Sequence, residues 1–467
     1  MKNPTARIEW KKLVGAVAGI AAALLLWFIP LNLASQTQHA LAIAAFMIIF
    51  WCVEPIDHAL TGLIGCYLFW ALRITNFTTA FSGFAEDTPW FLLGAILLGA
   101  MAVKSGLAQR LAYVVMSRVG TTYSRILLGL IIVDFLLTFL VPSGIAKVII
   151  LAAIASGIVS TLSPAPKSNV GRGLFVILTY TATIFDKMII AGVSAIVARG
   201  LIEKIGNVPV YWSQWFFAYL PCDVVTILAC WLIVRWLYPA EEALIPLKPT
   251  YLKEQLDKLG KWTPAEKKSA ALMLIAIALW LTDFLHHIKP SVIGLGAGLA
   301  ACLPRIGVLD TEDLKKVNLL PVFLVGAVIS LSTILETSKA LDVLNAIFFS
   351  WLDRVVTGAF QSAVILYWTG FVYHFILPEP SMISTSMPIL MRFALNNGLN
   401  PLAIGMIWTF AAGGKIFIYQ SPVLVVGYSY GYFEAKDLLK VGALLTIVES
   451  IILLFLVPLY WPLIGIR

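Results

Sequence analysis

The sequence predicts an all-α membrane protein with about eleven spanning helices and two re-entrant hairpins arranged as an inverted repeat. Three observations predict this class. Of the 467 residues, 60% are hydrophobic and 12% charged, with a mean hydropathy of +0.91, whereas a soluble domain carries about 25% charged residues. Apolar runs of about 20 residues, the length a helix needs to cross a bilayer, recur along the chain, as in 13–30 and 441–465. Lys and Arg gather in alternate connecting segments. An outer-membrane barrel would show alternating segments of about 10 residues, and that pattern is absent.

Taken in order, the runs place spanning helices at 12–30, 39–54, 56–73, 88–117, 172–200, 214–239, 266–286, 289–306, 319–347, 400–431 and 438–464. The first run is long and lacks a small-residue cleavage site, so it is expected to be a retained helix rather than a signal peptide. Two further stretches, 122–158 and 358–396, are too long for one span. Each is broken near its middle by proline and small residues, at 142–144 and at 378–381. Because proline cannot continue a helix's hydrogen bonding, both stretches read as re-entrant hairpins. The hydrophilic segment 240–268 is expected to be a solvated cytoplasmic connector carrying a short surface helix.

With a cytoplasmic N-terminus, segments 1–12, 117–125, 160–172, 240–268, 304–318 and 433–440 lie inside and hold 19 Lys and Arg. The outer segments near 73, 199–213, 289, 348–360 and 467 hold 6. That asymmetry fits the positive-inside rule and accounts for the net charge of +8 without a nucleic-acid partner. Cys52, Cys66, Cys222, Cys230 and Cys302 are scattered with no CxxC pair, so neither a zinc nor a redox site is supported and no metal or cofactor is expected. Trp10, Trp90, Trp212, Trp215 and Trp461 stand near run ends, as expected of an interfacial belt.

The two halves resemble one another. FLLGA at 91–95 matches FLVGA at 323–327 at an offset of 232, and Pro142 matches Pro378 at an offset of 236. Interrupted segments near 181–199 and 411–431 follow in each half. By the topology the first unit starts outside and the second inside, so the repeat is inverted. Interrupted helices at corresponding places point to a secondary transporter with a midplane site.

Lys147, within VDFLLTFLVPSGIAKVIILAA at 133–153, is the leading candidate for chemistry. A charge costs about 2.5–3.5 kcal/mol at the centre of a membrane helix on insertion scales, so such residues usually face a polar pathway. The competing reading is a lysine snorkelling to the interface, against which its apolar flanks argue. Facing a pathway, its ammonium would pair with an anion, helped by Ser143 and by main-chain amides at the tip that includes Gly144. Lys415, in FAAGGKIFIYQSP, is the counterpart in the second half, between breaks at Gly413-Gly414 and at Tyr419 to Pro422, where Gln420 and Ser421 add polar groups. Asp186 and Lys187 are adjacent charges in a third apolar region. They read equally as a mutually compensating pair or as a site where Asp186 carries a proton. Glu379, between two prolines at the second tip, raises the same question. Just past that tip lie Ser381, Ser384, Thr385 and Ser386; the default for such hydroxyls is to bond their own helix, with Ser384 and Thr385 the candidates for substrate contact. His374 and Arg392 beside the same hairpin are expected to be interfacial anchors.

On these residues the chain resembles the divalent anion:sodium symporter family, the transporters of dicarboxylates, citrate and sulfate. The resemblance runs from WFLLGAILLGAMAVKSGLAQRLA at 90–112 to GYFEAKDLLKVG at 431–442. Family members carry Ser-Asn-Thr at each hairpin tip, and one branch reads Val-Pro-Ser-Asn-Thr-Ala-Arg at the first. Here that tip reads VPSGIAK: Val141, Pro142, Ser143 and Ala146 are kept, Lys147 stands where the branch has arginine, and Gly144 and Ile145 replace the asparagine and threonine. The second tip, ILPEPSMISTSMP, has no Ser-Asn-Thr. The family's Thr-Pro-Pro-Asn loops become AGVS around Ser194 and YQSPVL with Ser421 and Pro422.

The resemblance implies a homodimer with elevator-like alternating access and a division into scaffold and transport subdomains. Scaffold parts would be 1–87, 214–318 and 433–467, and transport repeats 88–213 and 319–432. The loss of side-chain oxygens at the first tip removes ligands from a sodium site, and a fixed cation at Lys147 could balance charge instead. Proton coupling or anion exchange is therefore expected in place of sodium coupling.

The sequence thus predicts a secondary transporter of a small organic dianion, most simply a dicarboxylate, in a bacterial inner membrane, since two cationic side chains match a ligand with two negative ends. The alternatives are a cation/proton antiporter of related architecture, with Asp186 or Asp134 as carrier, and a membrane-embedded enzyme. Against an enzyme stands the absence of HExxH, of an acidic magnesium cluster and of a GxSxG facing a histidine.

Overall fold

A computed structural model describes residues 4–141, 143–162, 168–190, 192–240 and 250–466. Pro142 at the first predicted tip, Ala191 of AGVS, and the connector residues 163–167 and 241–249 lie outside the described residues, as do Arg467 and the first three residues. The described residues are helical, with no strand among them. Among the described residues twenty helices of eight or more residues follow in order. They are α1 (Pro4–Phe28), α2 (Ser35–Val53), α3 (His58–Ala71), α4 (Asp87–Lys104), α5 (Leu107–Val119), α6 (Tyr123–Leu140), α7 (Gly144–Leu162), α8 (Asn169–Met188), α9 (Val193–Gly206) and α10 (Trp212–Leu237). After these come α11 (Thr250–Lys258), α12 (Pro264–Leu281), α13 (Pro290–Ala300), α14 (Leu320–Thr337), α15 (Ala340–Phe348), α16 (Ala363–Ile376), α17 (Glu379–Asn396), α18 (Pro401–Gly413), α19 (Pro422–Ser429) and α20 (Ala435–Ile451). Among the described residues seven helical stretches are long and apolar enough to cross a membrane, and shorter apolar helices accompany them.

Four predicted single spans are each a pair of helices: 172–200 (α8, α9) and 400–431 (α18, α19), where interruptions were expected, and two more. The span 88–117 is α4 and α5, separated at Gly106 with φ +82°. The span 319–347 is α14 and α15, separated at Lys339 with φ +58°. A left-handed residue reverses the local backbone, and glycine adopts it without a Cβ clash whereas lysine does so at a cost. The apolar character runs straight through both turns, which is why hydropathy merged each pair.

The order of elements repeats. A long helix and a short one (α4, α5; α14, α15) precede a pair broken at an extended residue (α6, α7; α16, α17), and a second interrupted pair follows (α8, α9; α18, α19). The first broken pair turns at Val141, which is extended, and α7 restarts at Gly144. The second turns at Leu377 and Pro378, with Pro380 in the first turn of α17, where its missing amide costs no hydrogen bond. The connector helix expected within 240–268 is present as α11.

The chain divides into two compact units. Unit 1 comprises Met1–Leu92, Ile196–Val210 and Asn318–Thr409; unit 2 comprises Leu93–Ala195, Tyr211–Val317 and Phe410–Arg467. Within unit 1, α1 packs on α2 and α3 on α14. Within unit 2, α8 packs against α6, α7 and α10, and nearly every side chain along it is buried. A helix apolar on all sides belongs inside a bundle, so charges at its end must find partners within the protein.

Three of the tryptophans expected at the interface are core residues instead. Trp212, Trp215 and Trp461 are buried, while Trp10 and Trp90 are exposed. Trp215 Nε1 donates to the Lys187 carbonyl at 2.8 Å and Trp461 Nε1 to the Ala218 carbonyl at 3.0 Å, so each indole satisfies its polar edge internally.

The N-terminus of α10 is capped from a distant segment. Buried Asp283 accepts the Trp212 amide at 2.7 Å and the Ser213 hydroxyl. A carboxylate there answers both the unpaired amides and the positive end of a 26-residue helix. Asp283→Ala strands those donors, and the expected loss of about 1–3 kcal/mol is read from thermal unfolding in detergent, with Asp283→Asn recovering part of it.

Candidate functional site

The first broken pair in unit 2 brings Lys147 to the centre of a buried charge cluster. Ser143 caps α7: its hydroxyl accepts the Ala146 amide at 3.3 Å and its carbonyl the Lys147 amide at 3.0 Å. That turn directs the Lys147 side chain toward α6 and α8. Its Nζ lies 3.0 Å from Asp186 Oδ1 and 3.4 Å from Asp134 Oδ1, and donates to Thr138 Oγ1 at 2.8 Å. The Thr138 hydroxyl in turn donates to the Asp134 carbonyl at 2.7 Å. The side chains of Lys147 and Asp134 are 0% exposed and that of Asp186 is 16% exposed. Neither carboxylate oxygen of Asp134 has a hydrogen-bond partner among the described residues. Lys147 is thus sheltered, as its apolar flanks indicated, and its ammonium is held between two carboxylates.

Asp186 and Lys187 do not compensate one another, which corrects the first of the two readings of that pair. Lys187 turns the other way, 2.7 Å from Glu449 Oε1 and 3.4 Å from Asp223 Oδ1, with its Nζ 4.4 Å from the centre of the Phe410 ring. Asp223 follows Pro221 inside α10, and Glu449 precedes a π-helical turn at Ile452–Leu456. Both acids are buried. Their signal was present: each is a lone acid in an apolar run, and the rule applied to Lys147 finds them when applied to every run.

Lys415 is also buried in unit 2, in the break between α18 and α19. Its carbonyl accepts the Tyr180 hydroxyl at 3.1 Å, and that hydroxyl also reaches the Leu438 carbonyl at 2.6 Å. Gln420 ties the same break together, its Oε1 accepting the Ile416 and Phe417 amides at 2.7 Å each. Ser421 caps α19 through the Val423 amide, and Ser194 is buried near the start of α9. Ser421 and Gln420 thus order the backbone around Lys415.

Unit 1 holds the second tip. Ser381 donates to the Trp51 carbonyl at 3.0 Å and lies 3.0 Å from His58 Nε2. Thr385 and Ser386 bond back to their own helix, and Ser386 also accepts the Trp408 indole at 2.8 Å. Ser384 is buried, and its hydroxyl has no hydrogen-bond partner among the described residues. Glu379 is half-buried at the start of α17. His374 is fully buried with Nδ1 3.0 Å from the Leu377 carbonyl, so it braces the break and is not an interfacial anchor. Arg392 pairs with Asp342 at 2.7 Å and is partly exposed. Among the described residues no group of three or more His, Cys, Asp or Glu is placed to hold a metal ion.

Helices long and apolar enough to cross a membrane, with buried charges at their interruptions, define an integral membrane protein with a polar interior. Residues 10–467 match the family described as the sodium:sulfate symporter transmembrane region, and the chain belongs to that family. Similar proteins include a membrane protein of Cupriavidus necator, 25% identical over 99% of this chain and 94% of its own length. The putative malate transporter YflS of Bacillus subtilis is 24% identical over 97% of both chains. The citrate/succinate antiporter of Escherichia coli K12 is 22% identical over 98% of both.

Removing one partner of a buried ion pair leaves an uncompensated charge. Lys187→Met is expected to lower stability by about 3–5 kcal/mol, read as thermal unfolding of the detergent-solubilised protein. Adding Asp223→Asn and Glu449→Gln removes the stranded charges and should recover most of that loss; no recovery would place the cost in packing.

Proposed function

We propose that this protein is a secondary transporter of a small organic dianion, most simply a dicarboxylate, working by elevator-type alternating access as a homodimer in a bacterial cytoplasmic membrane. The N-terminus and the connector 240–268 are cytoplasmic in this reading, segments 1–87, 214–318 and 433–467 form the scaffold, and repeats 88–213 and 319–432 carry the substrate through re-entrant tips. The observation that carries the reading is the fully buried Lys147 ammonium at the N-terminal turn of α7. A cation and a helix N-terminus together form an anion site. Lys415 supplies a second buried cation in the same unit, and the Ser384 hydroxyl, without a hydrogen-bond partner among the described residues, is a donor at the other tip. The relatives named as a malate transporter and a citrate/succinate antiporter agree with this substrate class.

Coupling is assigned to protons or to a counter-anion. The first tip lacks the asparagine and threonine oxygens that a sodium ion would need, and its fixed charges supply the balance instead. In proteoliposomes, labelled succinate or malate is expected to enter when driven by a proton gradient or by internal dicarboxylate. Uptake driven by a sodium gradient at clamped pH overturns the coupling, and transport of neither dicarboxylates, citrate nor sulfate overturns the function.

Lys147→Ala should reduce uptake about 10- to 100-fold, the equivalent of one charged hydrogen bond. Ser384→Ala should weaken apparent affinity only about 3- to 10-fold, as one neutral hydrogen bond would, with no loss of thermal stability.

A further inference from the structure

We propose that Asp186 is a built-in competitor for the substrate carboxylate, occupying the anion site made by Lys147 and the N-terminus of α7 until a proton neutralises it. The inference rests on the dianion-transport reading above and states how proton and anion are linked at that site.

Asp186 already sits where a ligand carboxylate would. One of its oxygens is 3.0 Å from Lys147 Nζ, and the other abuts Gly144, the first residue of the 19-residue helix α7. The approach is so close that a Cβ at position 144 would collide with that oxygen and with Val423 of α19. The carboxylate therefore meets a cation and lies beside the first residue of a helix, whose positive dipole end favours an anion.

The charge count then forces a choice. One ammonium faces two carboxylates, and the deeper one, Asp134, is fully buried 3.4 Å from it. A third carboxylate cannot join them at acceptable cost while both stay ionised. Protonated Asp186 can swing away, and the substrate carboxylate that replaces it restores the pattern of one cation between two anions. The proton moves from solution onto the Asp186 carboxylate and travels with the substrate; no bond to the substrate forms or breaks.

Exposure selects Asp186 over Asp134. It is 16% exposed, whereas Asp134 and Lys147 are 0% exposed, so the gate is the most accessible member of the cluster. The groups facing it are Lys147 from α7, Asp134 with Thr138 from α6, and apolar Val423 from α19. Its chain neighbour Lys187 is engaged by Asp223 and Glu449.

The test is calorimetric titration of the purified full-length protein with succinate and malate, in paired buffers of different ionisation heat. The range runs from about pH 6.5 to about pH 9, where these ligands are doubly ionised. Wild type is expected to take up about one proton per ligand bound, with affinity falling about tenfold per pH unit. Asp186→Asn should bind without proton uptake, with an affinity independent of pH. Wild-type binding without proton uptake overturns the inference whether or not the variant folds. So does a pH slope that survives in Asp186→Asn and vanishes in Asp134→Asn. Absence of binding of either ligand to wild type, together with absence of uptake in proteoliposomes, overturns the transport reading itself, and the inference falls with it.

Discussion

An ammonium group removed from water and held between two carboxylates is the constraint on which unit 2 is organised. Isolated, any one of these charges would cost several kcal/mol to bury, and geometry that pairs them is what makes burial tolerable. The pairing requires three helices to deliver Asp134, Lys147 and Asp186 to one point. α7 can do so because α6 stops at Leu140 and the chain restarts at Gly144 after an extended residue. An unbroken helix through 122–158 would carry Lys147 along α6's own axis, more than a turn from Asp134, with no α8 partner fixed by the turn.

The end of α8 joins this cluster to a second one. Asp186 and Lys187 are consecutive, yet one faces Lys147 and the other faces Asp223 and Glu449. Successive residues of an α-helix are about 100° apart around the axis, so a helix buried on all sides presents them to different neighbours. A rigid displacement of that helix end alters both sets of pairs at once. The partners stand beside backbone irregularities, Pro221 in α10 and the π-helical turn after Glu449.

Legibility was uneven for physical reasons. Breaks marked by proline, such as 378–380 and 422, were readable because proline acts locally on the backbone. The interruptions at Gly106 and Lys339 were not, since a single left-handed residue leaves no trace in hydropathy and lysine is no turn former. Lys147 stood out as a lone cation in a run of aliphatic residues. Asp223 and Glu449 carried the same mark but lay in runs with no proline-glycine tip to draw notice. Trp212, Trp215 and Trp461 were misassigned to the interface because position near a run end does not say whether a neighbour offers a carbonyl.

Composition, run length and charge asymmetry suffice for the class of this protein, because the bilayer imposes helix length and internal hydrogen bonding on any chain that crosses it. The same local rules located the interrupted helices and the cation beside the first of them. Partner choice among the charges was decided by tertiary structure alone. Whether Asp186 answers Lys147 or Lys187 depends on how helices distant in sequence rotate against one another, and no spacing along the chain encodes that rotation.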